Sequence, residues 1–352
     1  MGVSVKLVYR VLNTTILVLC LIAGTNSAWS EHIDHHSAAP SFSNPDILSA
    51  VSKGWESKPF KHDKIHSEAD LVVALSQQSY PIFHDLILKY ADKNQLKIIV
   101  KPGTCGITAG RLRKKAADIG AYCCPPAKSD RLPGLKFHSL GISPIALIVH
   151  PDNPLTNITT QQAREVFQGN STHWAQIDKN KDHDFQHLIK PIARLHCKVR
   201  PGHWRSLLND ENQFSPRLFE VGVIPDMISQ VSRNTGAIGW EVPLMISLHR
   251  NKGIVKMLKI DGHEATDLNY VLSGKYPLYR SYSLTTWEKD SGNKKENMHT
   301  QATKLVKYLQ QHIEKVHSDV AFIPPSQLRN AGWKFKDDEL IGEPDSNNVI
   351  QH

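Results

Sequence analysis

An α/β fold in two lobes, each a mostly parallel sheet flanked by helices and joined by crossover strands, is predicted by three observations. Apolar runs of strand length, such as LVVAL (71–75), LKIIV (96–100) and DIGAY (118–122), alternate with segments of helical period, which is the pattern of a parallel sheet. The chain has 352 residues, enough for one large or two medium domains that each bury a core. With 40% hydrophobic and 22% charged residues and no strongly biased tract, its composition is that of a globular protein.

The ends are read separately from the fold. Residues 1–30 carry Lys6 and Arg10, no acids and an apolar run from Ile16 to Ala23, which predicts a secretory signal peptide. Ala28 and Ser30 stand at the −3 and −1 positions for cleavage before Glu31, and Cys20 would leave with the signal; a retained anchor is the alternative. Losing Lys6 and Arg10 takes the formal charge from +8 to +6. A basic exported protein is compatible with anionic solutes or membrane surfaces, and charge alone selects neither. Residues 31–66, rich in His, Pro, Ser and Lys, are predicted to form an extended leader in which His32, His35 and His36 are solvated, with weak metal binding as the alternative. Residues 341–352 are predicted to be a loose tail.

Between the ends the elements follow in order. LVVAL is a strand, SQQSYP a loop, and Ile82, Phe83, Leu86, Ile87 and Tyr90 are spaced as one face of a helix. LKIIV is the next strand, KPGTCG a loop, and ITAGRLRKKAA a helix leading into DIGAY. PIALIVHPDNP (144–154) is a strand running into a Pro-rich turn, suited to a crossing between lobes, and NITTQQAREVFQG is a helix with a Thr cap and Gly169 at its end. IKPIARL, GAIGWE, VKMLKI and YPLYRSYSLTTW supply strands, with helices at WRSLLND and MISQVSRN. In the segment 299–316, Ala302, Leu305, Val306, Leu309 and Ile313 form a single apolar stripe. The expected division is a first lobe of 67–144 and 250–340 and a second of 145–249. In open α/β sheets ligands sit outside the carboxyl ends of the strands, where SQQSYP, KPGTCG and AYCCPP would gather.

In this order SYPIF, PGTCGITAGRLRKKAADIGA, IALIVHPDNPLTNITTQQAREVFQGNSTHWAQI, GAIGWE and VAFIPPSQLRNAGW resemble the periplasmic phosphate-binding protein of ABC transporters, within the wider class of two-lobed solute receptors. The resemblance spans about residues 70–335 and implies two lobes that close on a small anionic solute by hinge motion, with a membrane permease and ATPase as partners. It implies no cofactor, no nucleic-acid partner, a monomer and a periplasmic location. It also carries ligand contacts onto Ser79 and Tyr80 in the first loop, Thr104, Cys105 and Gly106 in the second, and Tyr122 or Cys123, followed by Cys124, in the third. In the fourth, HCKVRPGHW places Cys197, Lys198, Arg200, Gly202 and His203 near the ligand.

The departure from that family lies in the pocket, where cysteine and histidine stand at positions that elsewhere carry hydroxyls. A cysteine S–H is a weak donor, whereas helix N-termini with Lys198 and Arg200 still suit an oxyanion. Thiolates and imidazole select soft or borderline metals such as Cu(I) and Zn(II), or a thiophilic metalloid, which makes Cys105, Cys123, Cys124, Cys197 and His203 an alternative ligand set. A disulfide from Cys105 or Cys197 to one of the adjacent pair is a third reading, if the Cα atoms come within about 4.4–6.8 Å. A Cys197/His203 nucleophile and base would make an enzyme, but nothing marks an oxyanion hole, and binding rather than catalysis is expected.

Overall fold

The computed structural model describes residues 42–178, 185, 187–195, 200, 207, 208, 210, 212–288, 295–316 and 321–345. In chain order these begin with strand β1 (Leu71–Ser76), helix α1 (Tyr80–Lys93), β2 (Ile98–Gly103), α2 (Cys105–Arg113), β3 (Ile119–Tyr122) and β4 (Leu135–Pro144). There follow β5 (Ala146–Val149), β6 (Asn157–Ile158), α3 (Thr160–Gln168), α4 (Trp174–Ile177), β7 (Lys190–Ala193), β8 (Phe219–Glu220) and α5 (Ile224–Ser232). The remainder are β9 (Ala237–Glu241), α6 (Pro243–Leu248), β10 (Lys256–Ile260), α7 (Leu268–Leu272), β11 (Tyr279–Trp287), α8 (Lys295–Val316), α9 (Pro325–Asn330), β12 (Lys334–Lys336) and β13 (Glu339–Gly342). None of the described helices is long and apolar enough to cross a membrane.

Two main sheets, each with its own buried core, make the two lobes. The first has the order β2-β1-β3-β11-β4 and the second β6-β10-β5-β9-β7-β8. Both are mixed sheets. β1 pairs in parallel with β2 and β3, but β11 runs antiparallel to β3 and β4; in the second, β5 is antiparallel to both β10 and β9. The parallel part is what the strand–helix alternation predicts, and the antiparallel strands come from the chain's passages between lobes.

Among the described residues, two passages join the two main sheets. β4 ends in the first sheet at Pro144, and with Ile145 alone between them β5 begins in the second. The return runs from β10 through α7 to β11, and lies near Leu278 rather than at residue 250. Met257 pairs with Ile148, and Leu258, Ile260, Val271 and Tyr276 are buried in the second core, which fixes this segment to the second lobe. The two passages are bonded to each other: Ile145 N donates to Leu278 O at 2.8 Å, and Tyr276 Oη donates to Ile145 O at 3.0 Å. A pair of short cross-linked strands is a geometry that bends as a hinge.

Local chemistry explains the helices that matter to the site. α3 has Thr159 as its cap, its hydroxyl accepting from Gln162 N, and stops at Gly169, whose φ of 83° is left-handed. The apolar stripe of α8 is buried at Ala302, Leu305, Val306, Leu309 and Ile313 against the first core. α2 lies so close to β3 that a Cβ on Gly120 would meet Leu112 Cδ1 at 2.6 Å and Thr108 Cγ2 at 2.9 Å. Glycine at 120 therefore sets how near the start of α2 comes to the end of β3.

The segment read as an extended leader is anchored where it is described. Trp55 is buried and donates from its indole N–H to Arg113 O at 2.7 Å. Of the segment read as a tail, Ile341 and Gly342 close β13. The signal peptide and the histidines 32, 35 and 36 lie outside the described residues.

Candidate functional site

The carboxyl ends of β1 and β3, the start of α2 and the ends of β7 and β9 meet between the lobes, and the first and second loops named by the sequence are there. β1 runs into Gln77 and Gln78 before Ser79 caps α1. The side chain of Gln78, fully buried, donates to Glu241 Oε1 at the end of β9 at 2.5 Å. Gln77 Nε2 reaches Gly222 O at 3.4 Å, a second link from first lobe to second.

Ser79, a ligand contact implied by the resemblance, is bonded within its own loop. Its hydroxyl is 2.8 Å from that of Ser76 and its N–H donates to Ser76 O at 3.0 Å, so both groups serve the turn that starts α1. Tyr80 is the first residue of α1 and its ring stacks on His84 with centroids 4.6 Å apart. In the second loop, Thr104 caps α2 with its hydroxyl oxygen, accepting from Ile107 N at 3.3 Å. Gly106 is exposed, and a Cβ there would come no nearer than 3.7 Å to another atom, so its backbone is not crowded.

Cys105 is the first residue of α2, and Cys123 and Cys124 follow directly on β3. All three are buried and their sulfurs lie within 4.8 Å of one another. Cys105 Sγ and Cys123 Sγ are 3.3 Å apart, hydrogen-bond range for thiols and well beyond the about 2.05 Å of an S–S bond. The hydrogen bond with Cys105, partly offset by one with Cys124, and burial push the Cys123 thiol up to about 11. Tyr122, just before them, is fully buried and its phenol is raised well above its ordinary value by desolvation.

Three arginines converge on this edge. Arg200 pairs with Asp130, donates to Cys105 O at 3.2 Å, and lies 5.2 Å from the Tyr122 ring centroid. Arg194, at the end of β7, forms a buried ion pair with Glu241, whose Oε1 also accepts from Val242 N at 2.9 Å. Arg280, in β11 opposite Ser143, is only 2% exposed, and its Nη1 is 3.9 Å from Cys123 Sγ. Its Nε and Nη2 have no hydrogen-bond partner among the described residues. Burial works against its charge, but Cys123, Glu241, Cys124 and Tyr282 together raise it above the ordinary arginine value. It stays a cation.

Among the described residues the charges at this edge do not balance. Arg194, Arg200 and Arg280 stand against the carboxylates of Asp130 and Glu241, with Arg194 and Arg200 each holding one. Arg280 is the excess cation. A buried cation with two orphan donors is costly unless something anionic meets it, and that makes the edge suitable for an anionic ligand.

Of the residues the sequence points to, the structure brings together Cys105, Cys123, Cys124, Tyr122 and Arg200. It turns Ser79 toward Ser76 and uses Thr104 as a cap. Cys197, Lys198, Gly202 and His203 lie outside the described residues. The sequence reading passed over Gln78, Asp130, Arg194, Glu241 and Arg280. The signal available for three of them was a charge inside or ending a buried strand: IKPIAR, GAIGWE and LYRSYS each carry one.

Comparison with known proteins agrees with this architecture. The profile of the PBP superfamily domain matches residues 63–311. Among solved structures, the chain is similar to an ABC-type phosphate transport receptor from Vibrio cholerae. The two share 17% identity and a TM-score of 0.54, over 72% of this chain and all of that one. It is also similar to a putative phosphate ABC transporter substrate-binding protein with bound phosphate from Clostridium perfringens. Here identity is 18% and the TM-score 0.57, over 77% of this chain and 98% of the other.

Proposed function

The chain belongs to the PBP superfamily, and from that premise we propose that it is an extracytoplasmic receptor that captures a small anion, phosphate or a related oxyanion, between its lobes. The observation that carries the reading is Arg280: among the described residues it is a buried guanidinium, the one of three arginines at this edge without a carboxylate partner, with no partner for Nε and Nη2. Two adjacent N–H groups on a planar guanidinium match two oxygens of a phosphate or sulfate. The start of α2 beside it adds backbone N–H groups and the positive end of a helix dipole. Closure about the Ile145–Leu278 hinge brings Arg194 and Glu241 of the second lobe to Gln78 of the first, so the ligand would be enclosed by both.

One of the similar proteins is an ABC-type phosphate transport receptor and the other a phosphate ABC transporter substrate-binding protein with bound phosphate, which supports phosphate as the first ligand to try. The same reading makes the protein periplasmic, delivered by its N-terminal signal, and gives it a permease and an ATPase as membrane partners and a monomer as its working form. Its chemistry is binding, not turnover.

The test is a titration of the purified, reduced protein with phosphate, sulfate, nitrate and acetate, followed by tryptophan fluorescence. Saturable 1:1 binding of phosphate or another tetrahedral oxyanion, with no response to acetate, is the expected outcome. Absence of binding by every anion would sink the proposal.

A further inference from the structure

We infer that Cys105, Cys123 and Cys124 form a binding site for a single soft, monovalent metal ion of the Cu(I) type, held by three thiolates on the first lobe alone. The inference does not depend on anion capture, because the three sulfurs belong to one lobe and need no closure to meet.

Buried cysteines ordinarily pack as small apolar groups. Three sulfurs converging at the head of a helix, with a guanidinium aimed at one of them, form a different arrangement. A thiolate–metal bond of about 2.3 Å puts three sulfurs around one ion about 4 Å apart. Here the three lie within 4.8 Å of one another, with Cys105 and Cys123 at 3.3 Å, so small χ1 adjustments suffice for coordination. The positions are held rigidly: Gly120 keeps α2 against β3, and Cys105 is the first residue of that helix, where the dipole favours a thiolate.

Charge chooses among thiophilic ions. Thiolate ligands select soft metals. Three thiolates with a trivalent centre are neutral, and with Zn(II) they form a site that wants a fourth ligand for its tetrahedron. No His, Asp or Glu completes the set among the described residues. With a monovalent ion the site keeps two negative charges; Arg280, its Nη1 3.9 Å from Cys123 Sγ, offsets one, and the positive start of α2 at Cys105 faces the other. Binding would release three protons to solvent, one from each thiol, and leave the metal's oxidation state unchanged. Because Arg280 also serves the anion, metal and oxyanion would each weaken the other.

The experiment is a competition for Cu(I) between the reduced protein and bathocuproine disulfonate under nitrogen, with Zn(II) run in parallel. One Cu(I) retained per chain is expected, with thiolate-to-copper absorption in the near ultraviolet. Alkylation followed by peptide mass spectrometry on the wild-type protein should find residues 105, 123 and 124 protected together by the metal. Loss of an outer partner typically costs 10–100-fold in metal affinity, so Cys123→Ser should cost more than about 100-fold, and Cys105→Ser and Cys124→Ser likewise. These two also keep the test intact should Cys123→Ser not fold. No retained Cu(I), retention unaffected by the serine variants, preference for Zn(II), or a Cys105–Cys123 disulfide that resists reductant would each overturn the assignment. The two ideas are read separately, because copper retention is measured on the wild-type protein with no phosphate present and phosphate binding with no copper present.

Discussion

Gln78 of the first lobe donates to Glu241 of the second at 2.5 Å, with both side chains buried. Glu241 is already held by Arg194 and by Val242 N, so the glutamine is the part of this contact that can be removed without orphaning a charge. A hydrogen bond to a charged group is worth about 1.5–3 kcal/mol. Gln78→Ala is therefore expected to shift the unliganded protein toward an open arrangement, read as a larger radius of gyration by small-angle scattering. It should also weaken anion binding by about tenfold or more. An unchanged radius and affinity would mean that the lobes are held by something else.

Removing the acceptor is a different experiment. Glu241→Ala leaves Arg194 buried without the carboxylate it pairs with, and breaking one side of a buried ion pair costs about 3–5 kcal/mol. The midpoint of urea unfolding should fall by the corresponding amount, whereas Arg194→Met paired with Glu241→Met should restore most of it. If the single variant costs less than about 1 kcal/mol, the pair is wet and the edge is not closed.

Stability should also respond to pH through His62. Its ring nitrogen is 2.9 Å from Asp118 Oδ2, and that hydrogen bond raises its pKa above the usual 6.5 despite partial burial. A raised folded value means that the folded protein binds the proton more tightly than the unfolded chain does. This stabilisation is complete below about pH 6.5 and is lost as pH rises through the folded value. His62→Gln should flatten that decline in denaturant titrations between pH 6 and pH 9. An identical decline in the variant would assign the slope to another group.

How much of this was legible in the sequence depends on how local each feature is. The Thr159 cap, the Gly169 stop and the stripe of α8 are set by neighbours within two turns, and the structure has them where the pattern puts them. Cys105 and Cys123 were readable as neighbours because each follows a strand at the same sheet edge. The return crossing was not, since KMLKI alternates in the same way whichever sheet it joins, and only its pairing with β5 decides. Arg280 was hidden for a related reason. β11 is buried on both faces between β3 and β4, so its pattern is unbroken apolar and polar residues alike, and the role of one arginine follows from strand order rather than spacing.

Close packing supplies a prediction for the thiols. Gly120→Ala would put a methyl 2.6 Å from Leu112 Cδ1, a contact the leucine end can partly relieve, and 2.9 Å from Thr108 Cγ2. Overpacking of this kind costs about 1–3 kcal/mol. α2 should move off β3, and Cys105 and Cys123 should become faster to alkylate. Unaltered stability together with unaltered alkylation would show that the helix has slack there.

The most direct measurement is calorimetric titration of phosphate into wild-type protein and Arg280→Met, alongside their unfolding. Removing a buried cation with two orphan donors should leave the unliganded protein as stable or more so. Two charge-assisted hydrogen bonds at about 1.5–3 kcal/mol each would be lost, a drop in affinity of at least about 100-fold. Phosphate bound equally well by both proteins would contradict the assignment of Arg280 as the residue that holds the anion.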